Sequence, residues 1–176
     1  MAKTTDSIAR ALNIAVLTVS DTRTEENDTS GQYLITALEA EGHKTVAKYI
    51  VIDDIYRIRA TLSAWIADDQ INAVLITGGT GFSGRDSTPE AVVPLFDKAI
   101  DGFGELFRAL SFQEIGSSTI QSRAVAGFAN ETVIFCMPGS TGACRTAWTG
   151  IIREQLDSSH RPCNFVGVMS VREREA

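Results

Sequence analysis

A loop of glycines, hydroxyl side chains and one aspartate follows an apolar segment near the middle of the chain. The stretch reads AVLITGGTGFSGRDSTPE from Ala73 to Glu90. Glycine N–H groups can turn toward an anion without a Cβ in the way, and Thr80 and Ser83 add hydroxyl donors. Asp86 could hold a hydrated Mg²⁺, which takes one or two carboxylates together with phosphate oxygens. The loop is therefore a candidate site for a phosphorylated ligand. The structural alternative is a glycine-rich turn in which Asp86 helps to cap the next helix.

Two common nucleotide-binding motifs match this loop only as letter strings. Three of its glycines have the spacing of the dinucleotide fingerprint, but the helix cap indicated by Ser87–Glu90, a possible capping box, comes too late for that motif. A Walker A loop continues with Lys and Ser or Thr, where this chain has Arg85 and Asp86. The spacing thus disfavours a dehydrogenase and excludes a P-loop. Arg85 could instead contact a phosphate bidentately.

Further polar clusters follow the other apolar segments. Ser20-Asp21, Asp53-Asp54 and Pro138–Thr141 each come directly after such a segment, and Asp28–Gly31 opens a predicted helix. Each cluster taken alone is typical of a turn or a helix cap. The carboxyl ends of parallel strands lie at one edge of a sheet, where α/β proteins bind their ligands. We therefore expect these loops to converge on one site.

Alternating strands and helices would position these loops. Apolar, β-branched segments predict buried strands over residues 13–20, 44–52, 72–77 and 132–138. Apolar stripes of helical period predict helices over residues 32–42, 56–69, 89–100, 104–115 and 142–156. This alternation predicts βαβ units in an α/β fold, a three-layer α/β/α sandwich with a mostly parallel central sheet.

Composition limits the class of protein. The chain has 176 residues, 44% of them hydrophobic, and its 22 acidic against 16 basic residues give a net charge of -6. That balance disfavours nucleic-acid binding, which needs clustered Lys and Arg. No apolar run approaches the ~20 residues that span a bilayer, and the first residues do not resemble a secretion signal, so we expect a cytoplasmic protein without a membrane partner. Three cysteines without a C-x-x-C pair indicate reduced, buried thiols.

Seven short motifs along the chain resemble those of one known family. In order they are TVSD, DTSG, ITGGTG, RDSTPEA, GFGELFR, SRAVAG and MPGS. Together they resemble the MoaB/MogA family of molybdenum cofactor biosynthesis proteins, which includes a domain of gephyrin, and the bacterial MoaB branch most closely. The resemblance covers residues 13 to about 165. It implies a single molybdopterin-binding domain over 1–176, with terminal extensions at 1–12 and 166–176, and assembly into a homotrimer or homohexamer.

The resemblance also implies an activity. Family members bind molybdopterin, and the best understood transfer the AMP of ATP, with Mg²⁺, to its terminal phosphate and release pyrophosphate. The product passes to a MoeA-type protein that inserts molybdate. The alternative of a different class is a non-catalytic molybdopterin-binding or carrier protein of the same pathway.

The family motifs assign roles to particular positions of this chain. The two acids needed for adenylylation correspond to Asp86 and, at a strand end, to Asp53 or its neighbour Asp54. Asp53 and Asp86 are thus the expected catalytic residues and Mg²⁺ ligands. The residues expected to bind molybdopterin or ATP are Ser20, Asp21, Ser30, Gly31, Thr77, Gly78, Gly79, Thr80, Gly81, Arg85, Thr88, Glu90, Pro138, Gly139 and Ser140.

Overall fold

A computed structural model describes residues 10–169 of the protein. One sheet of six strands runs through this part of the chain. The order across the sheet is β2-β1-β3-β6-β5-β4. The strands are β1 (Asn13–Val19), β2 (Lys44–Val51), β3 (Ala73–Thr77), β4 (Lys98–Ala99), β5 (Val125–Ala129) and β6 (Thr132–Met137). Strands β2, β1, β3 and β6 are parallel, whereas β5 is antiparallel to both of its neighbours. The predicted α/β fold with a mostly parallel sheet is confirmed.

Helices cover both faces of the sheet. They are α1 (Thr29–Ala40), α2 (Ile55–Ala67), α3 (Thr88–Val92), α4 (Asp101–Ile115), α5 (Thr141–Ala147) and α6 (Arg153–Gln155), the last two joined by a π-helical turn (Trp148–Ile152). Successive side chains of β1 point to opposite faces. Ile14 and Val16 pack in the core formed with α1, α4 and α5, whereas Ala15 and Leu17 pack in the core formed with α2 and α3.

The helix predicted over residues 89–100 is wrong beyond Val92. A 3₁₀ turn (Val93–Leu95) follows α3, and strand β4 comes next. Pro94 has no N–H with which to continue the α-helical bonds to the carbonyl of Glu90, so the helix ends there. Arg59 takes over this carbonyl, with Nη2 donating to the Glu90 oxygen at 2.9 Å.

The antiparallel edge of the sheet was not predicted. Strand β5 is VAGFA, and its alanines and glycine have low strand propensity. Gly127 is needed in β5 because the Phe96 ring packs against its backbone, where a Cβ would lie 2.3 Å from Phe96 Cγ. Between α4 and β5 lies a second 3₁₀ segment, Gly116–Gln121, which was also not predicted.

The remaining predicted elements are present, with ends shifted by at most three residues. The packed body reaches Leu12 on one side and Val166 and Met169 on the other, all of them buried. The rest of the expected terminal extensions, 1–9 and 170–176, lies outside the described residues. Cys136 and Cys144 are buried free thiols as expected, but Cys163 is exposed. Within residues 10–169, every helix is too short or too polar to cross a membrane.

Candidate functional site

A cavity of about 390 Å³ lies at the carboxyl ends of β1, β3 and β6. The strand order reverses between β1 and β3, because α1 leads to β2 on one side of β1 and α2 returns the chain to β3 on the other. Such a switch point is where open α/β sheets bind ligands. The predicted site residues that line this cavity are Ser20, Ser30, Thr77, Gly78, Gly79, Thr80, Gly81, Asp86, Pro138 and Gly139.

The glycine loop presents unpaired main-chain donors. Gly78 and Gly79 adopt positive φ angles of 106° and 65°, which favour glycine. The Gly78 N–H donates to the carbonyl of Met137 at 3.0 Å. The N–H groups of Gly79, Thr80 and Gly81 have no hydrogen-bond partner among residues 10–169. Consecutive unpaired N–H groups at a cavity wall are donors for an anion.

Asp86 closes the loop and lines the cavity. Its Oδ2 accepts a hydrogen bond from the Ser83 N–H at 2.7 Å. The carboxylate does not cap α3, which begins after Ser87 without any side-chain cap bond. The alternative of a helix-capping aspartate is therefore wrong. The expected Ser87–Glu90 capping box is absent for the same reason.

Asp53, which follows β2, is the second carboxylate beside the glycine loop. It packs against Gly79 and does not line the cavity. Its Oδ1 accepts hydrogen bonds from the Ser87 N–H at 3.0 Å and the Ser87 Oγ at 2.5 Å. Its Oδ2 abuts Gly79, where a Cβ would lie 2.6 Å away. The neighbouring Asp54 instead caps α2, accepting from the N–H groups of Tyr56 and Arg57. Of the two candidates, Asp53 is the acid beside the glycine loop.

Negative charge accumulates around this loop. Burial raises the pKa of the Asp53 carboxyl, and the negative charges of Asp86 and Asp21 raise it further, against the hydrogen bonds from Ser87. The pKa of Asp21 is lowered, chiefly because Arg85 donates hydrogen bonds to it and the Asp53 N–H donates a further one. A buried carboxylate whose charge is disfavoured by its neighbours suits a cation.

Carboxylates such as Asp53 and Asp86 are the protein ligands that Mg²⁺ uses together with phosphate oxygens and water. The hydrogen bonds described above engage one oxygen of Asp53 and one of Asp86, and the other oxygen of each has no hydrogen bond within residues 10–169. Across the described part of the chain, no group of three or more His, Cys, Asp and Glu side chains has the arrangement of a metal site. A metal here would complete its shell with phosphate oxygens and water, as Mg²⁺ commonly does.

Several predicted ligand-binding residues make internal contacts instead. Arg85 forms a bidentate ion pair with Asp21, with two hydrogen bonds of 2.9 Å. The Thr88 hydroxyl donates to the Gly78 carbonyl at 2.8 Å and so ties the glycine loop to the start of α3. Glu90 pairs with Arg123. These residues shape the loop but do not line the cavity.

Two further predicted residues belong to helix starts. The Gly31 N–H, at the beginning of α1, donates to the buried Asp28 carboxylate at 3.0 Å. Ser140 caps α5 by accepting from the Ala143 N–H at 3.1 Å. Both helices begin at the edge of the sheet that carries the cavity. The two residues therefore orient the loops and are not part of the cavity wall.

Sequence reasoning missed one wall of the cavity. Its residues come from the loop after β1, the end of α4 and the 3₁₀ segment that follows: Arg23, Ile115, Ser118, Gln121 and Ser122. The hydroxyl-rich string GSSTIQS was a usable signal. Its position beside the glycine loop depends on the antiparallel strands, which the sequence did not reveal.

Comparison with known proteins identifies the family. Residues 15–158 match the family described as a probable molybdopterin binding domain. Over 152 residues the chain is 62% identical to molybdenum cofactor biosynthesis protein B of Escherichia coli K12, a match covering 86% of this chain and 89% of the relative. The chain belongs to the MoaB/MogA family of molybdenum cofactor biosynthesis proteins.

Solved structures of the MoaB/MogA family share the fold. A crystal structure of a molybdenum cofactor biosynthesis protein B has a TM-score of 0.81 at 46% identity, covering 84% of this chain and 92% of the other. The tungsten cofactor synthesizing protein MoaB of Pyrococcus furiosus has a TM-score of 0.74 at 38% identity, covering 82% and 92%. The chain is thus a MoaB-type molybdenum cofactor biosynthesis protein with the family's molybdopterin-binding domain.

Proposed function

We propose that this MoaB-type protein binds molybdopterin and Mg-ATP at the cavity and transfers AMP to the terminal phosphate of molybdopterin. One observation carries the proposal. The unpaired N–H groups of Gly79, Thr80 and Gly81 stand beside two carboxylates, Asp53 and Asp86, at the switch point of the sheet. Donors for phosphate next to ligands for a cation suit a metal-bound polyphosphate.

The reaction joins two anions. An oxygen of the molybdopterin phosphate forms a bond to the α-phosphorus of ATP, and the bond from that phosphorus to the bridging oxygen of the β-phosphate breaks, releasing pyrophosphate. The attacking phosphate is already ionised near pH 7, so no carboxylate has to act as a base. Catalysis then consists of positioning and charge neutralisation. Mg²⁺, when bound, would offset the charge on the leaving pyrophosphate.

The residues of this chain would divide that work. The loop N–H groups hold the phosphates, and Asp53 and Asp86 supply the free oxygens that hold the metal. Arg85 has a side chain that is 65% exposed, so it can exchange its carboxylate partner Asp21 for a phosphate. The wall formed by Ser118, Gln121 and Ser122 would face the organic part of the ligand.

A second function is a non-catalytic molybdopterin-binding or carrier protein of the same pathway. The position of Asp53 favours it, since this carboxylate lies behind the glycine loop and does not line the cavity. A protein that only holds the pterin needs the glycine loop but does not need both acids on one metal.

The deciding experiment is incubation of the purified protein with molybdopterin and Mg-ATP, with release of pyrophosphate as the readout. Asp86→Asn and Asp53→Asn should each lose AMP transfer while molybdopterin still binds. Asp54→Asn is the matched control, because Asn caps a helix as well as Asp and this residue faces α2 rather than the loop. Pyrophosphate release by Asp86→Asn at the normal rate would refute the metal role. Binding without any turnover by the unaltered protein would favour the carrier.

The proposed function also has an assembly and a downstream partner. By analogy with the family we expect a homotrimer or homohexamer and transfer of the adenylylated product to a MoeA-type insertase. Light scattering of the purified protein measures the first. Accelerated molybdate insertion when the insertase is added together with this protein measures the second.

A further inference from the structure

Arg123 contacts the glycine loop at two places, at Thr80–Gly81 and at Asp86. Its Nε donates to the Gly81 carbonyl at 2.8 Å and to the Thr80 carbonyl at 3.3 Å. Its Nη2 donates to the Asp86 carbonyl at 3.1 Å, and its Nη1 pairs with Glu90. The guanidinium also stands 5.2 Å from the centre of the Phe82 ring. One side chain therefore joins the start of the loop, its end and helix α3.

These contacts decide which way the Gly81 N–H points, whereas the carbonyls of Gly78 and Gly79, which precede the N–H groups of Gly79 and Thr80, accept hydrogen bonds from Thr88. In a trans peptide the C=O and N–H point in opposite directions. The Thr80 carbonyl accepts from both the side chain and the main-chain N–H of Arg123, so the N–H of Gly81 in the same peptide points away from Arg123. Arg123 does not line the candidate site; it lines a different cavity, of about 630 Å³, that no residue of the glycine loop lines. Gly81 itself lines the candidate cavity.

We propose that Arg123 is a positioning residue that holds the glycine loop in its anion-binding conformation. It never touches the ligand. It occupies the carbonyls of Thr80 and Gly81, which would repel a phosphate, and keeps the Gly81 N–H free for the ligand, while Thr88 holds the carbonyls of Gly78 and Gly79. Ordering the Arg123 side chain costs little conformational entropy, because a planar guanidinium is preorganised to satisfy several carbonyls at once. The proposal rests on the proposed function only in taking the anion to be a phosphate.

Pyrophosphate, with Mg²⁺, is a suitable probe for calorimetric titration and for NMR of the loop amides. In the unaltered protein it should bind and shift the amide signals of Gly79, Thr80 and Gly81. Arg123→Ala should weaken binding about tenfold, the factor that corresponds to ~1.4 kcal/mol, within the range for losing hydrogen bonds to a charged group. Arg123→Lys keeps the charge but cannot satisfy the same carbonyls, so it should also bind several-fold more weakly.

Arg59→Ala is the matched control. Arg59 is likewise half-buried and donates to two main-chain carbonyls, those of Glu90 and Ala91, but it does not contact the glycine loop. It should lower the unfolding midpoint yet leave pyrophosphate affinity within twofold of the unaltered protein.

Four results would overturn the role of Arg123. They are affinity of Arg123→Ala within twofold of normal, full rescue by Arg123→Lys, equal weakening by Arg59→Ala, and failure of the unaltered protein to bind pyrophosphate. If Arg123→Ala does not fold, Arg123→Lys decides the question alone. Pyrophosphate binding without AMP transfer would instead refute the proposed catalysis and leave the role of Arg123 intact.

Discussion

Replacing Gly79 by alanine tests the packing of the glycine loop against its carboxylate. Gly79 has a φ of 65°, in the left-handed region. An added Cβ would lie 2.3 Å from the Thr88 Oγ1 and 2.6 Å from the Asp53 Oδ2. Neither atom can yield easily, because Thr88 is bonded to the Gly78 carbonyl and Asp53 to Ser87. The substitution therefore combines backbone strain with overpacking.

The expected loss of stability can be estimated from these parts. A left-handed conformation costs a residue with a Cβ about 1–2 kcal/mol. Forcing a carbon into a packed site costs about 1–3 kcal/mol. Alanine also reduces the freedom of the unfolded chain, which offsets the loss by about 0.4–1 kcal/mol. Gly79→Ala should thus lower the free energy of unfolding by about 3 kcal/mol.

Two other glycines separate the contributions in the same urea-unfolding assay. Gly42 has a φ of 84° and no atom within 4 Å of an added Cβ, so Gly42→Ala should show the conformational cost alone, about 1 kcal/mol. Gly84, in the same loop as Gly79, has neither a positive φ nor a near neighbour, so Gly84→Ala should be neutral or slightly stabilising. If Gly79→Ala were no more destabilising than Gly42→Ala, the close packing of Asp53 and Thr88 on the loop would be refuted.

Three other predictions concern titrating groups. Burial raises the pKa of Asp53 above its ordinary 3.8, so the free energy of unfolding falls as the pH rises through that raised pKa. Without metal, Asp53→Asn lacks this loss. Urea titrations should therefore show the variant gaining stability relative to the unaltered protein as the pH is raised from 3.5 to 7. Burial lowers the pKa of His43 below 6.5, and its neutral Nδ1 accepts a hydrogen bond from the Leu12 N–H at 3.2 Å. The stabilisation from neutral His43 is present above pH 6.5 and is lost as the pH falls through the lowered pKa. His43→Ala should therefore reduce the dependence of unfolding free energy on pH on the acid side. Burial raises the pKa of Cys144 to about 11 and that of Cys136 as well, so a thiol reagent at pH 8 should modify Cys163 alone in the folded protein and all three thiols in denaturant.

The parallel part of the fold could be predicted because its signals are local. Strands β3 and β6 are buried along their whole length, so each reads as an uninterrupted apolar run. Gly42 follows α1 with a positive φ, as its position at the end of the helical stripe predicts. Parallel strands then bring their loops to one edge, and this rule brought Ser20, Thr77 and Pro138 to one cavity.

The parts that escaped prediction depend on distant contacts. Strand β5 is a strand because Phe96 packs on Gly127 and because β6 pairs with it, and neither contact leaves a periodic pattern in VAGFA. Arg123 could not be assigned for the same reason, since its partners lie some forty residues earlier in the chain. The family motif places Glu90 in the site, whereas its pairing with Arg123 depends on where β5 begins.

Two unsatisfied features of the glycine loop stand side by side and support the proposal of a metal-bound phosphate. The loop has N–H donors without acceptors at Gly79, Thr80 and Gly81, and it lies beside the carboxylates of Asp53 and Asp86, where burial and the charge of Asp86 raise the pKa of Asp53. A bare phosphate would satisfy the donors but would sit beside those negative charges. A bare cation would satisfy the carboxylates and leave the donors unpaired. A phosphate that carries its own magnesium meets both needs at once, and this is the chemical form in which ATP is used. A neutral ligand of the same size meets neither.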